Sequence, residues 1–147
     1  MSRFAMATLP TILLVDDNST NNFLNTKLLH YVDPNAQVLT ALDGQEGLDL
    51  LRTRCQPPTP SCPSLIFLDL NMPVMNGFEF LEAYRHWPEA QRQGVVVVVL
   101  TTSSSPRDLT RLQTIPGVGV LAKPLTEAKV AQVLADYFPL SSAVSSL

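Results

Sequence analysis

Hydrophobic and polar positions alternate in blocks along the 147-residue chain. Short aliphatic, β-branched runs predict strands, and the longer segments between them carry apolar residues at the spacing of a helix. The predicted strands cover residues 11–15, 37–42, 64–68, 95–100 and 118–122. The run at 95–100 is apolar throughout, which indicates a strand buried on both faces.

Capping residues and prolines mark the predicted helices between these strands. Asn18, Ser19 and Thr20 precede a helix of about three turns that ends near His30. Its helical spacing is carried by Phe23, Leu24, Lys27, Leu28 and Tyr31. Further helices are predicted to begin at Gly44, at Gly77, at Pro106 and after the cap Thr126. The last of these is predicted to bury Val130, Val133, Leu134 and Tyr137. The proline-rich segment 56–63 is predicted to be a surface loop.

Five strands alternating with five helices predict an α/β fold with one parallel sheet, because each right-handed crossover places a helix over the sheet. We expect a flavodoxin-like, doubly wound sheet in strand order 2-1-3-4-5. The expected organisation is an N-terminal extension at residues 1–9, one domain at 10–139 and a flexible tail at 140–147.

Composition narrows the function classes. The chain is 46% hydrophobic and 16% charged, with a formal charge of −3, which indicates a globular domain with a full core. It has no basic run, so nucleic-acid binding is not expected. The apolar run at 95–100 is too short to span a membrane. A signal peptide at residues 4–15 is a weaker alternative, because Pro10 interrupts that stretch and two aspartates end it.

Cys55 and Cys62 lie in or beside the proline-rich loop. They lack the spacing of a two-pair zinc site. Free thiols in a cytoplasmic protein are the prediction, and a local disulfide is the alternative.

Chemically active side chains follow the predicted strands at their carboxyl ends. In a doubly wound sheet these ends form the functional crevice. The residues are Asp16, Asp17, Asp69, Thr101, Thr102 and Lys123. Three neighbouring carboxylates repel one another unless a cation lies among them, and an oxygen-only site suits Mg²⁺. Beside a metal and a lysine, Asp69 is equipped to attack a phosphoryl group.

Taken in order, these motifs resemble the receiver domain of two-component response regulators over residues 10–138. They are Asp16-Asp17, Leu68-Asp69-Leu-Asn-Met-Pro73, Asn76-Gly77, Leu100-Thr101-Thr-Ser103 and Lys123-Pro124. The dipeptides are common individually, but their order at successive strand ends is specific.

The resemblance implies a role for each matching residue. Asp69 would accept phosphate and, with Asp17, ligate Mg²⁺ directly, while Asp16 would act largely through water. Asn71 would offer its backbone carbonyl to the metal. Thr101 would be the switch residue, Lys123 would pair with a phosphoryl oxygen, and the Lys123–Pro124 peptide is expected to be cis.

Two positions depart from the family pattern. Val120 stands where receivers usually carry an aromatic partner of the switch threonine, so we expect activation to depend on residues 103–114 and on backbone shifts. Thr102 replaces the usual alanine or glycine and is expected to narrow phosphoryl access. Asn71 and Ser103 are placed to affect self-dephosphorylation.

The function implied is that of a stand-alone, cytoplasmic response regulator that catalyses only its own phosphorylation and dephosphorylation. The implied donor is a histidine kinase, of hybrid or phytochrome-like type, or a histidine phosphotransfer protein. Output would be through a protein target. One alternative is a receiver-like interaction module that never carries phosphate. Another is a flavodoxin-like cofactor protein, although Asp16-Asp17-Asn18 would repel a cofactor phosphate.

Overall fold

Five parallel strands form one sheet in the order β2-β1-β3-β4-β5, as predicted. In this computed structural model, the described residues are 8–72, 74–102 and 105–139. The strands are β1 (Ile12–Val15), β2 (Val38–Ala41), β3 (Leu65–Asp69), β4 (Val96–Thr101) and β5 (Val118–Ala122). The α/β fold class is therefore confirmed.

Six helices, not the predicted five, are present in the described segments. They are α1 (Ser19–Val32), α2 (Gly44–Cys55), α3 (Gly77–Arg85), α4 (Glu89–Arg92), α5 (Pro106–Gln113) and α6 (Glu127–Tyr137). The additional helix, α4, is a single turn after Pro88 and has no side-chain cap. One turn is too short to show a helical period, which explains why the sequence pattern did not predict it.

Both faces of the sheet are buried because successive strand side chains point to opposite sides. On one face, Val15, Leu68 and Val99 belong to a core with residues of α2 and α3. On the other face, Leu14, Phe67 and Val98 pack with residues of α1 and α6. Helices therefore cover both faces of the sheet, and because all strand pairs are parallel, the carboxyl ends of the strands lie at one edge.

Three of the apolar residues that predicted α1 lie on its outer side. Phe23, Leu24 and Tyr31 are 60%, 56% and 69% exposed. The buried residues of this helix are Asn22, Leu29 and Val32. Helical spacing identifies a helix but not which stripe faces the sheet, and here a buried asparagine occupies the inner stripe. The prediction that Tyr137 is buried on α6 is also wrong, since it is 40% exposed.

Cys55 and Cys62 form a disulfide, so the prediction of free thiols is wrong. The loop between them folds back through backbone hydrogen bonds from Thr59 to Arg54 and from Cys62 to Thr59. These turns bring the two Cα atoms to 5.0 Å, a separation typical of disulfides. The prediction of free thiols rested on the expected cytoplasmic location, which carries no information about the geometry of this turn.

The predicted extension and tail fall largely outside the described residues, at 1–7 and 140–147. Leu9, the last residue of the predicted extension, is buried, and its amide donates a hydrogen bond to Asp33 Oδ2. Among the helices that the structure describes, none combines the length and apolarity needed to cross a membrane.

Candidate functional site

Three aspartates meet at the carboxyl edge of the sheet. β1 and β3 are neighbours in register, with Val15 opposite Leu68. Asp16 and Asp17 leave β1 next to the end of β3, where Asp69 lies. One carboxylate oxygen from each of the three residues lies within 4.8 Å of the others. Asp16 and Asp69 are buried and Asp17 is exposed, so the cluster opens to solvent on the Asp17 side.

Lys123 supplies a cation to this cluster from the end of β5. Its Nζ lies 3.0 Å from Asp69 Oδ1 and 3.1 Å from Asp16 Oδ2. The backbone amide of Lys123 donates to the carbonyl of Thr101, which ties the lysine to β4. The Lys123–Pro124 peptide is cis, as the resemblance implied. Residues more than 100 positions apart in the sequence are thereby joined at one point.

Burial and charge shift the pKa values of this pair. Burial raises the pKa of Asp69, and the neighbouring Asp16 and Asp17 act in the same direction, whereas the hydrogen bond from Lys123 opposes them. For Lys123, burial acts to lower the pKa, but the hydrogen bonds and charges of Asp69 and Asp16 outweigh it, so the pKa is raised. The cluster therefore favours retention of a positive charge beside Asp69.

Asparagines at the start of α1 hold Asp16. The amide of Asn18 donates to Asp16 Oδ1 at 2.9 Å, and Asn21 Nδ2 donates to Oδ2 at 3.3 Å. Asn22 Nδ2 bridges the carbonyls of Asp16 and Ala41, which links β1 to β2. From the sequence, Asn18 is predicted only as a cap, and the roles of Asn21 and Asn22 are not predicted. The available signal was that Asn22 lies on the same side of the helix as the apolar residues Leu29 and Val32.

Gly77 allows α3 to begin directly against Asp69. Its amide donates to the carbonyl of Leu70 at 2.8 Å. A Cβ at this position would lie 2.8 Å from the carbonyl oxygen of Asp69 and 2.9 Å from Leu70 Cα. Asn76 caps the helix reciprocally with Glu79. Asn71, the predicted carbonyl ligand, is exposed two residues after Asp69.

The predicted switch residue Thr101 and its neighbour Thr102 lie at the end of β4. Thr101 ends the strand and is buried, and its neighbour Leu100 pairs with Asp69 in the sheet. Thr102 is exposed. Ser103 and Pro73, both part of the family motifs, lie outside the described residues.

A cavity of about 520 Å³ opens beside Lys123, between α1 and the start of α6. It is lined by Asp16, Asn21, Leu24, Asn25, Leu28, Leu100, Thr102, Lys123, Pro124 and Leu125. Exposed Leu24 of α1 is part of this wall. The cavity is therefore partly apolar and reaches Asp16 of the aspartate cluster.

Val120 does not join the cluster. It pairs with Val99 within the sheet and is 37% exposed on β5. Receivers usually carry an aromatic residue at this position. Here the position holds a valine and lies at the surface.

The donor set fits a hard divalent cation. Asp16, Asp17 and Asp69 offer only oxygen, and neither histidine nor cysteine belongs to the cluster that the described residues form. Oxygen ligands with one solvent-exposed side suit Mg²⁺, which retains several waters when bound to proteins. A bound dication would also offset the repulsion among the three carboxylates.

Comparison with known proteins identifies the family. The profile of the response regulator receiver domain matches residues 12–135. The chain is 32% identical over 134 residues to the sensor histidine kinase GacS of Pseudomonas protegens, which covers 90% of this chain and 14% of the kinase. It is 28% identical over 127 residues to a probable chemotaxis protein CheY of Rhizobium etli, covering 86% of this chain and 91% of that protein.

A solved structure supports the same assignment. The response regulator receiver protein from Dyadobacter fermentans superposes with a TM-score of 0.76 and 29% identity, covering 89% of this chain and 99% of that one. The fold and the site agree with the sequence match to the receiver family. The agreement covers the strand order, the aspartates at the ends of β1 and β3 and the lysine after β5. The chain therefore belongs to the response regulator receiver family.

Proposed function

We propose that this protein accepts a phosphoryl group on Asp69 from a phosphohistidine, in a reaction that requires Mg²⁺. The observation that carries the proposal is the contact between Lys123 and Asp69 at 3.0 Å, inside a cluster that holds two further aspartates. A lone carboxylate at a strand end would not need this arrangement. An acceptor does, because it must bring a polyanion against other anions.

The chemistry follows from the positions of the side chains. A carboxylate oxygen of Asp69 forms a bond to phosphorus as the nitrogen–phosphorus bond of the donor breaks, and the imidazole leaves with the bonding electron pair. Lys123 lies where its ammonium can pair with an oxygen of the transferred group. Thr101 is proposed to move toward the phosphoryl group, and Thr102 to restrict access to it.

The metal would be held by Asp16, Asp17 and Asp69, with the backbone carbonyl of Asn71 as a further ligand. When bound, Mg²⁺ neutralises charge on the phosphoryl oxygens during transfer. Asp16 is already oriented by Asn18 and Asn21 and by Lys123. These contacts fix one carboxylate of the site before the cation arrives.

The proposed donor is a histidine kinase, of hybrid or phytochrome-like type, or a histidine phosphotransfer protein. The similarity to GacS, a sensor histidine kinase, supports this donor class. The 520 Å³ cavity lies beside Lys123 and Asp16, and its α1 residues Leu24 and Leu28 are proposed as apolar contacts for the donor protein.

Output is proposed to pass through a protein target. Phosphorylation adds a dianion at Asp69, which biases the segment between Thr101 and α5 and the surface formed by α5, β5 and α6. We infer that the protein acts in the cytoplasm and that this domain catalyses only its own phosphorylation and dephosphorylation. Because Val120 has no aromatic ring to move, we infer that the conformational change involves the backbone of this region.

A second candidate function is a phosphate-independent interaction module. Val120 favours it, because this exposed valine has no ring that could move between buried and exposed positions when Asp69 is modified. The presence of all four family residues favours the first proposal, in which the protein is phosphorylated. These residues are Asp17, Asp69, Thr101 and Lys123.

The deciding experiment is the intact mass of the protein after incubation with acetyl phosphate or phosphoramidate, with and without Mg²⁺. Wild type should gain one phosphoryl group only with Mg²⁺, and Asp69→Asn should gain none. Asp136→Asn is the matched control, since Asp136 is an exposed aspartate on α6. No gain in folded wild type under any condition would favour the phosphate-independent module instead.

A further inference from the structure

A second cavity, of about 460 Å³, lies away from the aspartate cluster and shares no lining residue with it. α3, α4 and α5 contribute Arg85, Arg92 and Arg111 to its walls. The protein as a whole has a formal charge of −3, so three arginines around one concavity form a local field of the opposite sign.

The arginines are not neutralised by acidic neighbours. Glu82 is the acidic residue among those that line the cavity, and it contacts Arg85 at 3.3 Å. Both side chains of that pair are more than half exposed, and an exposed ion pair is weak. Within the described part of the chain, Arg92 and Arg111 form no salt bridge. The cavity therefore retains an excess positive charge of two.

Two of the guanidinium groups are already positioned. Arg92 donates from Nε to the backbone carbonyl of Trp87 at 2.9 Å. Arg111 lies over the ring of Phe78, with Cζ 3.9 Å from the ring centroid, and Phe78 is part of the core. A cation–π contact of this kind restrains the guanidinium group, and its N–H groups can still donate hydrogen bonds to a ligand.

We propose that this cavity binds a small organic phosphate that carries two negative charges. A phosphate group can accept hydrogen bonds from several guanidinium forks at once, which a single carboxylate does less completely. Ile115 and Pro116 supply an apolar wall for the organic part of the ligand. The cavity volume lies within the range of small-molecule sites, roughly 300–1,000 Å³.

The test is isothermal titration calorimetry of the full-length protein in low-salt buffer with a chelator, so that no metal recruits phosphate to Asp69. Phenyl phosphate is the probe, phthalate is its dicarboxylate counterpart with an aromatic ring, and phenol is its uncharged counterpart. We expect phenyl phosphate to bind more tightly than phthalate, and phenol to show no binding. A hexaglutamate peptide serves as the probe for an acidic protein segment.

Variants locate the binding. Arg111→Gln and Arg92→Gln should each weaken phenyl phosphate binding about tenfold, the typical effect of losing one charge-assisted hydrogen bond. Glu82→Gln should strengthen it, because it removes the competing carboxylate. Arg107→Gln is the matched control, since Arg107 is an exposed arginine on α5 that does not line the cavity. It should leave the affinity within about twofold.

A second readout protects the test against a variant that fails to fold. In amide NMR spectra of the wild type, phenyl phosphate should shift the signals of Thr114 and Ile115 and leave that of Asp17 unchanged. The proposal is overturned if wild type does not bind phenyl phosphate, if Arg107→Gln loses as much affinity as Arg111→Gln, or if hexaglutamate binds more tightly than phenyl phosphate.

Discussion

Lys123 is the residue on which the charge balance of the aspartate cluster depends. Its ammonium contacts two buried carboxylates at 3.0 and 3.1 Å. We expect Lys123→Ala to lower the free energy of unfolding of the metal-free protein by about 2 kcal/mol, because it leaves those carboxylates without a cation. Adding Mg²⁺ should then stabilise the variant more than it stabilises wild type. Urea unfolding with and without Mg²⁺ measures both effects.

Lys27→Ala is the control for this prediction, since Lys27 is an exposed lysine on α1. It should change neither the stability nor the response to Mg²⁺ beyond about 0.5 kcal/mol. Equal responses to Mg²⁺ in Lys123→Ala and Lys27→Ala would contradict the assigned role of Lys123. Normal phosphorylation-dependent partner binding by Lys123→Ala would contradict it as well.

Gly77 is a second position where one atom decides the geometry. A methyl group here meets backbone atoms of Asp69 and Leu70 below 3.0 Å, and backbone cannot rotate away. We expect Gly77→Ala to destabilise the fold by about 1–3 kcal/mol and to slow phosphorylation of Asp69, since β3 and α3 must separate. Rates of mass gain with acetyl phosphate and urea unfolding test the two effects together.

Gly44→Ala provides the comparison. The atoms that its Cβ would meet belong to the flexible side chain of Met75, and alanine is favoured over glycine in a helix. Its stability should be unchanged or higher, and its phosphorylation rate normal. If Gly44→Ala is as damaging as Gly77→Ala, close approach of α3 to Asp69 is not the cause.

For single residues, the sequence predicted which side chains meet in the aspartate cluster but not which neighbours hydrogen-bond to them. Asp16, Asp69 and Lys123 were predictable because each follows a strand, and parallel strands end at one edge. The contacts of Asn21 and Asn22 with Asp16 and its backbone depend on the angle at which α1 leaves the sheet. Sequence periodicity does not report that angle.

On α3, Tyr84 has a buried hydroxyl with no hydrogen-bond partner among the described residues. Burial raises the pKa of Tyr84 from 10.0 to about 12, although nearby Arg92 acts in the opposite direction. Above about pH 10 the unfolded chain loses this proton while the folded protein keeps it. The free energy of unfolding should therefore fall by about 1.4 kcal/mol per pH unit until about pH 12.

Tyr84→Phe should remove this part of the alkaline destabilisation. At neutral pH the same variant should be as stable as wild type or more stable, because no hydrogen bond is lost. Urea unfolding across the alkaline range measures the slope. Tyr31→Phe, at an exposed tyrosine of α1, should keep the wild-type slope. A lower stability of Tyr84→Phe at neutral pH would show that the hydroxyl has a partner in solution.

The elements themselves were predictable where several signals agreed. Strands β3 and β4 follow from apolar runs, and helices α3 and α6 follow from caps at Asn76 and Thr126. The inner face of α1 was not predictable, because apolar residues lie on both sides of the helix and a buried asparagine lies on the inner one. Leu24, one of the exposed apolar residues, lines the cavity beside Lys123.

Across the whole molecule, the two ends of the sheet have different tasks. The carboxyl ends of the strands carry the aspartate cluster, and the opposite end carries the Cys55–Cys62 disulfide, which joins the end of α2 to the segment before β3. Cys55 is buried in the core cluster that also contains Leu68 and Phe80. The disulfide is therefore expected to contribute to stability without taking part in phosphoryl transfer.

Reduction of this disulfide tests that separation. The cysteines are seven residues apart, and closing so short a loop in the unfolded chain contributes about 2 kcal/mol. Dithiothreitol should lower the free energy of unfolding in urea by about that amount and leave the rate of phosphorylation by acetyl phosphate unchanged. Cys62→Ala lacks the bond in either condition, so its stability should not respond to the reductant. A phosphorylation rate that changes on reduction in wild type but not in Cys62→Ala would mean that the two ends of the sheet are coupled through β3, whose first residues follow the disulfide and whose last residue is Asp69.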